Sequence, residues 1–388
     1  MMQGVPYWRL SALYFFYFAT LGALQPYWSL YLHSLHFDAQ AIGELSAILM
    51  ATKIVAPNLG GWLADHTQRH MIWVQLSTIL SLLCFMGVFF GESYAWLALT
   101  ITAFSFFWNM VVPQLEATAF AYLGKAGSHR YSHIRLWGSV GFVVTVICLG
   151  ALLEYQPISV LPIAMLGIFA LVAISSLLVR ECHGGYAEHH NTSDQPLSCV
   201  LRKPVVLAFF FACILLQASH GSYYTFYSLY LKSHHYSSQS MGQLWALAVL
   251  AEVLAFMGMH RLLLHFSLRH LLMASFSLGT LRWLLIAHFI DNLGVVIFAQ
   301  VLHAASFALY HGVAIQFVYR YFPGRLQGRG QALYSSLTFG LGGAIGNLLS
   351  GYTWDSLGST WTYTISSGMC AAALLIVIFG LREQSEKL

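Results

Sequence analysis

Charge is what this sequence has least of. Only 8% of its 388 residues are Asp, Glu, Lys or Arg, where a soluble globular chain carries about 25%. With 58% hydrophobic residues and a mean hydropathy of +0.67, such a chain cannot cover a water-facing surface, so lipid is expected as its outer solvent. Cysteine is sparse as well. Cys84, Cys148, Cys182, Cys199, Cys213 and Cys370 show neither the paired spacing of a metal site nor a disulfide framework. No glycine-rich nucleotide loop is present, which argues against ATP as a driving force. No cleavable leader is evident either. The first apolar stretch follows Arg9 directly and is long enough to span, so it reads as an uncleaved first helix. An intramembrane metal enzyme would need histidines at i, i+4 beside a carboxylate. His66 and His70 have that spacing but share a loop with Arg69, and His189-His190 lie in a polar segment. The sequence is therefore not expected to encode an enzyme, to hold a metal or cofactor, or to bind nucleic acid.

What the chain has in abundance is long apolar runs. A spanning helix needs roughly 20 mostly apolar residues. Twelve stretches qualify, at 8–32, 40–64, 70–90, 94–123, 132–153, 158–179, 204–231, 239–264, 270–289, 293–320, 328–352 and 360–381. The only long polar segment, with His183, Glu188, Asp194, Arg202 and Lys203, falls between the sixth and seventh. The expected organisation is an N-terminal six-helix bundle over 1–180, a cytoplasmic linker over 181–203 and a C-terminal six-helix bundle over 204–388. Placing both termini in the cytoplasm puts fourteen of the eighteen Lys and Arg on that side, leaves only Lys232 outside, and buries Lys53, Arg135 and Arg282 in spans. Such asymmetry supports both the helix count and the orientation.

The chain also repeats itself. The segment Tyr27 to Leu45 matches Phe226 to Leu244 at nine of nineteen positions, with an offset of 199 residues. Gly61-Trp-Leu-Ala-Asp65-His-Thr-Gln-Arg69-His70, between the second and third stretches, resembles the signature loop of the major facilitator superfamily. There the glycine permits a tight turn, and Gly61, Asp65 and Arg69 are expected to latch the cytoplasmic ends. The implied fold is an all-α membrane protein of about twelve helices in two pseudo-symmetric bundles. Drug/proton antiporters of that superfamily carry a glycine-proline motif in helix 5. Arg135-Leu-Trp-Gly-Ser-Val-Gly-Phe142 and the residues after it contain no proline, which weighs against an efflux pump.

Pro113-Gln-Leu-Glu116 followed by Arg135-Leu-Trp-Gly is similar to lactose permease, where a helix-4 glutamate and a helix-5 arginine hold the sugar. Leu216-Gln-Ala-Ser-His220, Ala251-Glu252-Val, Leu281-Arg282-Trp, Gln300-Val-Leu-His303, His311 and Gln331-Ala-Leu-Tyr334 continue in order. Together they resemble more closely the bacterial phenylpropionate permease group, which also has a basic residue at the place of Lys53. One departure is plain. The proton-carrying glutamate that lactose permease places a helical turn after its helix-10 histidine is Ser306 here, so that relay does not transfer intact.

Charges inside a bilayer cost at least about 3 kcal/mol and are usually functional. Glu116 and Arg135 are expected to bind substrate, the arginine fork suiting a carboxylate or vicinal hydroxyls. Lys53 lies 199 residues before Glu252, so the repeat makes them equivalent positions of opposite sign. Lys53 is expected to bind or gate and Glu252 to couple protons, with His303, His220, His311 and Arg282 as partners because histidine titrates near neutrality. Asn109, Pro113 and Glu116 share a face of helix 4. His220, Tyr224 and Tyr227 do so on helix 7, and Gln300, His303 and Phe307 on helix 10. Gln25 beside Pro26 breaks helix 1 at a polar point. Asn109, Gln25, Tyr224 and Tyr227 join the expected substrate contacts. The resulting expectation is a monomeric, proton-coupled importer of a small organic solute such as an aromatic carboxylate. It would sit in the bacterial inner membrane and work by alternating access. A sugar or nucleoside symporter, an exporter and an uncoupled facilitator remain as alternatives.

Overall fold

A computed structural model describes residues 5–124, 127–182, 196–324 and 326–381, without the side chains of 127–129. Most of the expected linker, including His189-His190, lies outside the described residues.

Each apolar stretch becomes a helix. In chain order these are α1 (Tyr7–Ser34), α2 (Ala39–Thr67), α3 (His70–Phe85), α4 (Tyr94–Leu123), α5 (Gly127–Tyr155) and α6 (Leu161–Leu177). The second half gives α7 (Pro204–Ser233), α8 (Ser238–His265), α9 (Leu268–His288) and α10 (Leu293–Tyr321). It ends with α11, built from Leu326–Ser335, Ser336–Gly342 and Gly343–Leu357, and α12 (Ser359–Gly380). There is no strand among the described residues. Local chemistry sets several ends. Ser93, Ser267 and Asn292 cap α4, α9 and α10 by accepting the amides of Trp96, His270 and Val295. Gly124 and Gly358, at φ 59° and 87°, close the C-termini of α4 and α11.

Ten of these helices are long and apolar enough to cross a membrane by length and composition. The two that are not, α1 and α11, have a physical reason. Along α1 the buried positions include Tyr14, Tyr17, Thr20, Tyr27, Ser29 and Tyr31. Along α11 they include Gly340, Gly342, Gly346, Asn347 and Ser350. These helices hide in protein, so they need less apolar surface.

Residue contacts gather the chain into two units. One comprises Met1–Phe37, Ile48–Glu188 and Ser237–Ala246, the other Asp38–Ala47, His189–Tyr236 and Leu247–Leu388. In the first, α1 lies against α5 and α6, and α3 against α4 and α6. Contact between α1 and α5 is so close that a Cβ at Gly22 would meet the Phe142 carbonyl oxygen at 2.7 Å. In the second, α12 lies against α9 and α7. Gly221 approaches α11 so closely that a Cβ would sit 2.1 Å from the carbonyl carbon of Gly346. Gly22 and Gly221 are themselves 199 residues apart. So are His36 and His235, which share left-handed φ of 64° and 61° in the turns before α2 and α8. The sequence repeat is thus a repeat of backbone conformation.

Within the second unit, the Ala39 amide at the start of α2 donates to Asp355 Oδ2 at 3.0 Å. Within the first, the Gln239 amide at the start of α8 donates to Glu154 Oε2 at 3.1 Å. A carboxylate therefore caps each of these helix starts, where the helix dipole favours negative charge.

Candidate functional site

Each unit carries its own cluster of membrane-embedded polar side chains. In the first unit, α4 presents Glu116 and α5 presents Tyr131 and Arg135. Glu116 and Arg135 do not form an ion pair. The Glu116 carboxylate instead accepts the Tyr131 hydroxyl at 3.0 Å. Tyr131 is held in turn by stacking on Phe120, with ring centroids 4.4 Å apart. The Arg135 guanidinium lies over the Phe18 ring at 4.0 Å and near Tyr14 at 5.9 Å, a cation–π seat. Tyr14 and Phe18 share a face of α1 at i, i+4, as Tyr131 and Arg135 do on α5.

Lys53 on α2 is half-buried and makes no hydrogen bond or ion pair with any described residue. Its neighbour Thr52 is tied into α4: Asn109 Nδ2 donates to Thr52 Oγ1 at 2.8 Å and to the Leu49 carbonyl at 3.3 Å. Thr52 and Ser105 hydroxyls meet at 3.0 Å. Asn109 thus fixes α2 beside Lys53 with both amide hydrogens. Gln25 is half-buried on α1, and the break expected beside it is absent: the helix runs unbroken from Tyr7 to Ser34 through Pro26.

At the α2–α3 turn, Asp65 faces His70 at 3.6 Å rather than Arg69, and both Asp65 and Arg69 are exposed. His70 also contacts Gln114 of α4 at 2.8 Å, and Gly61 lies against the same Gln114. Glu181, which the motif does not include, accepts the Met71 and Ile72 amides at 2.8 and 3.3 Å and so caps α3.

In the second unit the polar cluster is denser. His303 Nε2 lies 2.6 Å from Glu252 Oε1, joining α10 to α8. Arg282 on α9 is completely buried. Its Nε donates to the Ala299 carbonyl at 3.0 Å and its Nη1 to Ser306 Oγ at 3.4 Å. No carboxylate among the described residues pairs with it. Its guanidinium lies instead 4.3 Å from the ring centres of both Tyr223 and Trp283. Gln300 links two tyrosines of α7: its Oε1 accepts Tyr223 at 2.9 Å and its Nε2 donates to Tyr227. His220 sits where α7 is interrupted between Pro204–Ser219 and Gly221–Ser233, its Nδ1 at 2.8 Å from the Leu216 carbonyl. Tyr224 stacks on it at 5.8 Å. Directly after His303 the chain winds into a π-helical turn, Ala304–Leu309, a distortion that frequently marks functional sites. His311 lies further along α10, at 3.0 Å from the Tyr334 hydroxyl.

The structure thus brings Glu252, His303, Arg282, His220, Tyr224 and Tyr227 into one cluster and sets His311 beyond it. Sequence reasoning missed Tyr131, Tyr14, Phe18, Tyr223 and Trp283. A signal existed for Tyr131, four residues before Arg135 on the same helix face. A buried aromatic in a chain that is 15% aromatic carries none.

The model of the MFS_1 like family matches residues 7–365. The chain belongs to this family. It is a major facilitator transporter, a multi-pass membrane protein and not an enzyme. It is 30% identical over 361 residues to the "Probable 3-phenylpropionic acid transporter" of Escherichia coli K12, covering 90% of this chain and 91% of that one. It is 25% identical over 380 residues to the maltose permease of Geobacillus stearothermophilus, covering 96% and 94%. Its fold superposes on the crystal structure of the nucleoside transporter NupG with a TM-score of 0.82 at 15% identity, over 97% of this chain and 99% of that one. The phenylpropionate permease resemblance and the major facilitator fold expected from the motifs are both borne out.

Proposed function

We propose that this transporter imports a small organic carboxylate with an aromatic body, coupled to protons, by alternating access. The observation that carries this reading is the pair of uncommitted cations in the first unit. Arg135 makes no ion pair with Glu116, whose carboxylate accepts the Tyr131 hydroxyl, and Lys53 has no described partner. A cation in a bilayer is costly until an anion offsets it. The substrate carboxylate is that anion, and an arginine fork grips it with two parallel hydrogen bonds. Phe18, Tyr14 and Tyr131 offer the rings against which an aryl group lies. The name of the Escherichia coli relative agrees with this chemistry.

Glu252 and His303 supply the proton site. At 2.6 Å the two groups hold one proton in common and can take up a second. His220, Arg282 and, further along α10, His311 tune that pair. Asn109 and Gln25 shape the first-unit site, and Tyr224 and Tyr227 extend substrate contacts in the second. Asp65, Arg69 and Gly61 act as the cytoplasmic latch, with His70 as the partner of Asp65. The protein works as a monomer in a bacterial inner membrane with both termini cytoplasmic. It is organised as bundles over 1–180 and 204–388 about a linker at 181–203.

A second reading has one observation in its favour. Glu116 and Arg135 together offer an acceptor and a fork of donors, which suits vicinal hydroxyls, and relatives include a maltose permease and the fold of a nucleoside transporter. Binding titrations of the purified protein with 3-phenylpropionate, maltose and uridine separate the two. Saturable binding of the acid alone, weakened about a hundredfold in Arg135→Ala, is expected. Binding of the sugar or nucleoside with the acid inert would replace the carboxylate reading.

A further inference from the structure

Three buried nitrogens of the second unit lack partners and belong to side chains joined by ring contacts. Arg282, His220 and His303 are 0%, 1% and 3% exposed. Arg282 Nη2, His220 Nε2 and His303 Nδ1 have no hydrogen-bond partner among the described residues. Ring contacts close the cluster. His220 and His303 have centroids 6.0 Å apart, Trp283 meets His220 edge-on at 4.9 Å, and Tyr223 lies 5.3 Å from His303. The Arg282 guanidinium sits 4.3 Å from both Tyr223 and Trp283. An orphaned buried polar atom is destabilising, so three on adjoining side chains call for a common partner.

The sense of each hydrogen bond identifies that partner. His220 Nδ1 faces the Leu216 carbonyl at 2.8 Å. A carbonyl only accepts, so Nδ1 carries the hydrogen and Nε2 of the neutral ring is an acceptor. Arg282 Nη2 only donates. His303 changes sense with proton loading. When one proton lies between its Nε2 and Glu252 (2.6 Å apart), Nδ1 is a bare acceptor. When the pair takes a second proton, Nδ1 carries it and donates. The missing partner must accept from Arg282, donate to His220, and do either toward His303. A halide only accepts, a metal cation is repelled by Arg282, and a water molecule does all three. Nearby hydroxyls are already engaged: Tyr223 donates to Gln300 and also bonds the Arg282 side chain, Ser306 accepts from Arg282 Nη1, and Ser219 donates to the Leu216 carbonyl and accepts from Trp283.

We propose that Arg282, His220 and His303 bind one water molecule, which passes the protonation state of the Glu252–His303 pair on to Arg282 and His220. Three hydrogen bonds is the usual complement of a buried water. In the unloaded state the water accepts from Arg282 and donates to both histidines. Loading a proton onto His303 Nδ1 turns one water O–H away, and the water accepts from His303 and Arg282 together while still donating to His220. No covalent bond other than that to the loaded proton forms or breaks. The titratable and charged groups facing these three side chains are His220, Tyr223, Tyr224 and Tyr227 from α7, Glu252 from α8, Arg282 from α9, His303 from α10, and Tyr363 and Cys370 from α12, the last meeting Ser219 at 3.4 Å. The relay rests on the proton-coupling role of Glu252, whereas the water site rests on the three nitrogens alone.

Solid-state NMR of the full chain, labelled with 15N-histidine in lipid vesicles, tests the site. The chain has 18 histidines, so difference spectra against His220→Gln and His303→Gln assign the two signals. The expected result is a His220 ring protonated at Nδ1, with its Nε2 correlated to water protons at every pH. His303 Nδ1 is expected to correlate with water throughout and to gain a proton on acidification. Absence of water correlation at both nitrogens at high and low pH overturns the site, as does a His303 signal that follows chloride when it is exchanged for gluconate. A parallel uptake assay of Glu252→Gln keeps the two ideas apart. Symport surviving in that variant removes the relay and the coupling role, and leaves the water correlation to stand or fall on the spectra.

Discussion

On the proposed reading, Tyr131 decides what Arg135 can do. Its hydroxyl donates to the Glu116 carboxylate at 3.0 Å, and the guanidinium lies over Phe18 without an ion pair to that acid. Replacing Tyr131 with Phe removes that hold while keeping the ring on Phe120. Glu116 then turns to Arg135 and competes with substrate. Affinity for 3-phenylpropionate is expected to fall about tenfold, or about 1.4 kcal/mol, in an isothermal titration, and adding Glu116→Gln is expected to restore most of it. Unchanged affinity in Tyr131→Phe would mean that the hydroxyl does not control Arg135. Arg135→Ala is expected to lose far more, about a hundredfold, because a hydrogen-bonded ion pair is removed. These charged positions were legible in the sequence because so few charges interrupt the apolar runs. Their partners were not. Nothing in the order of residues says that Glu116 meets a tyrosine, or that Arg282 has no carboxylate partner among the described residues and rests against two rings.

Helices were the most legible elements, since a bilayer demands runs of apolar residues and the chain supplies twelve. Their interruptions were less so. The break in α7 before Gly221 and the π-helical turn after His303 contain no proline. They arise from how neighbouring helices fit, as the approach of Gly221 to Gly346 illustrates. Gly221→Ala forces a Cβ to 2.1 Å from backbone and is expected to cost about 1–3 kcal/mol, read as a clear drop in the melting temperature of the purified protein. Gly258→Ala on α8, where a Cβ meets nothing within 4 Å, is expected to leave the melting temperature unchanged or raise it, because alanine is the better helix former. Equal melting temperatures for both variants would show that the close approach at Gly221 is not required.

Across the whole molecule the 199-residue repeat is the organising fact. It sets Gly22 against Gly221 and His36 against His235 in matching backbone roles, and it puts Lys53 and Glu252 at equivalent positions with opposite charge. The two halves differ in chemistry: the first unit holds Lys53, Arg135 and Glu116 with no ion pair among them, the second an acid–histidine pair beside a buried arginine. On the proposed reading the labour is divided accordingly, with an anion held in one unit and a proton in the other. Glu252→Gln is accordingly expected to abolish accumulation against a gradient while leaving substrate exchange across the membrane intact, as measured by counterflow. Loss of both activities together would assign Glu252 to substrate binding rather than to coupling.

Uptake of radiolabelled 3-phenylpropionate into proteoliposomes with an alkaline interior tests coupled carboxylate import most directly. Because the protonated acid crosses bare lipid, protein-free vesicles set the baseline. Accumulation above that baseline is expected, collapsing with a protonophore and absent in Arg135→Ala and Glu252→Gln. Uptake that never exceeds the baseline, or that exceeds it equally in all three proteins, would contradict proton-coupled carboxylate import.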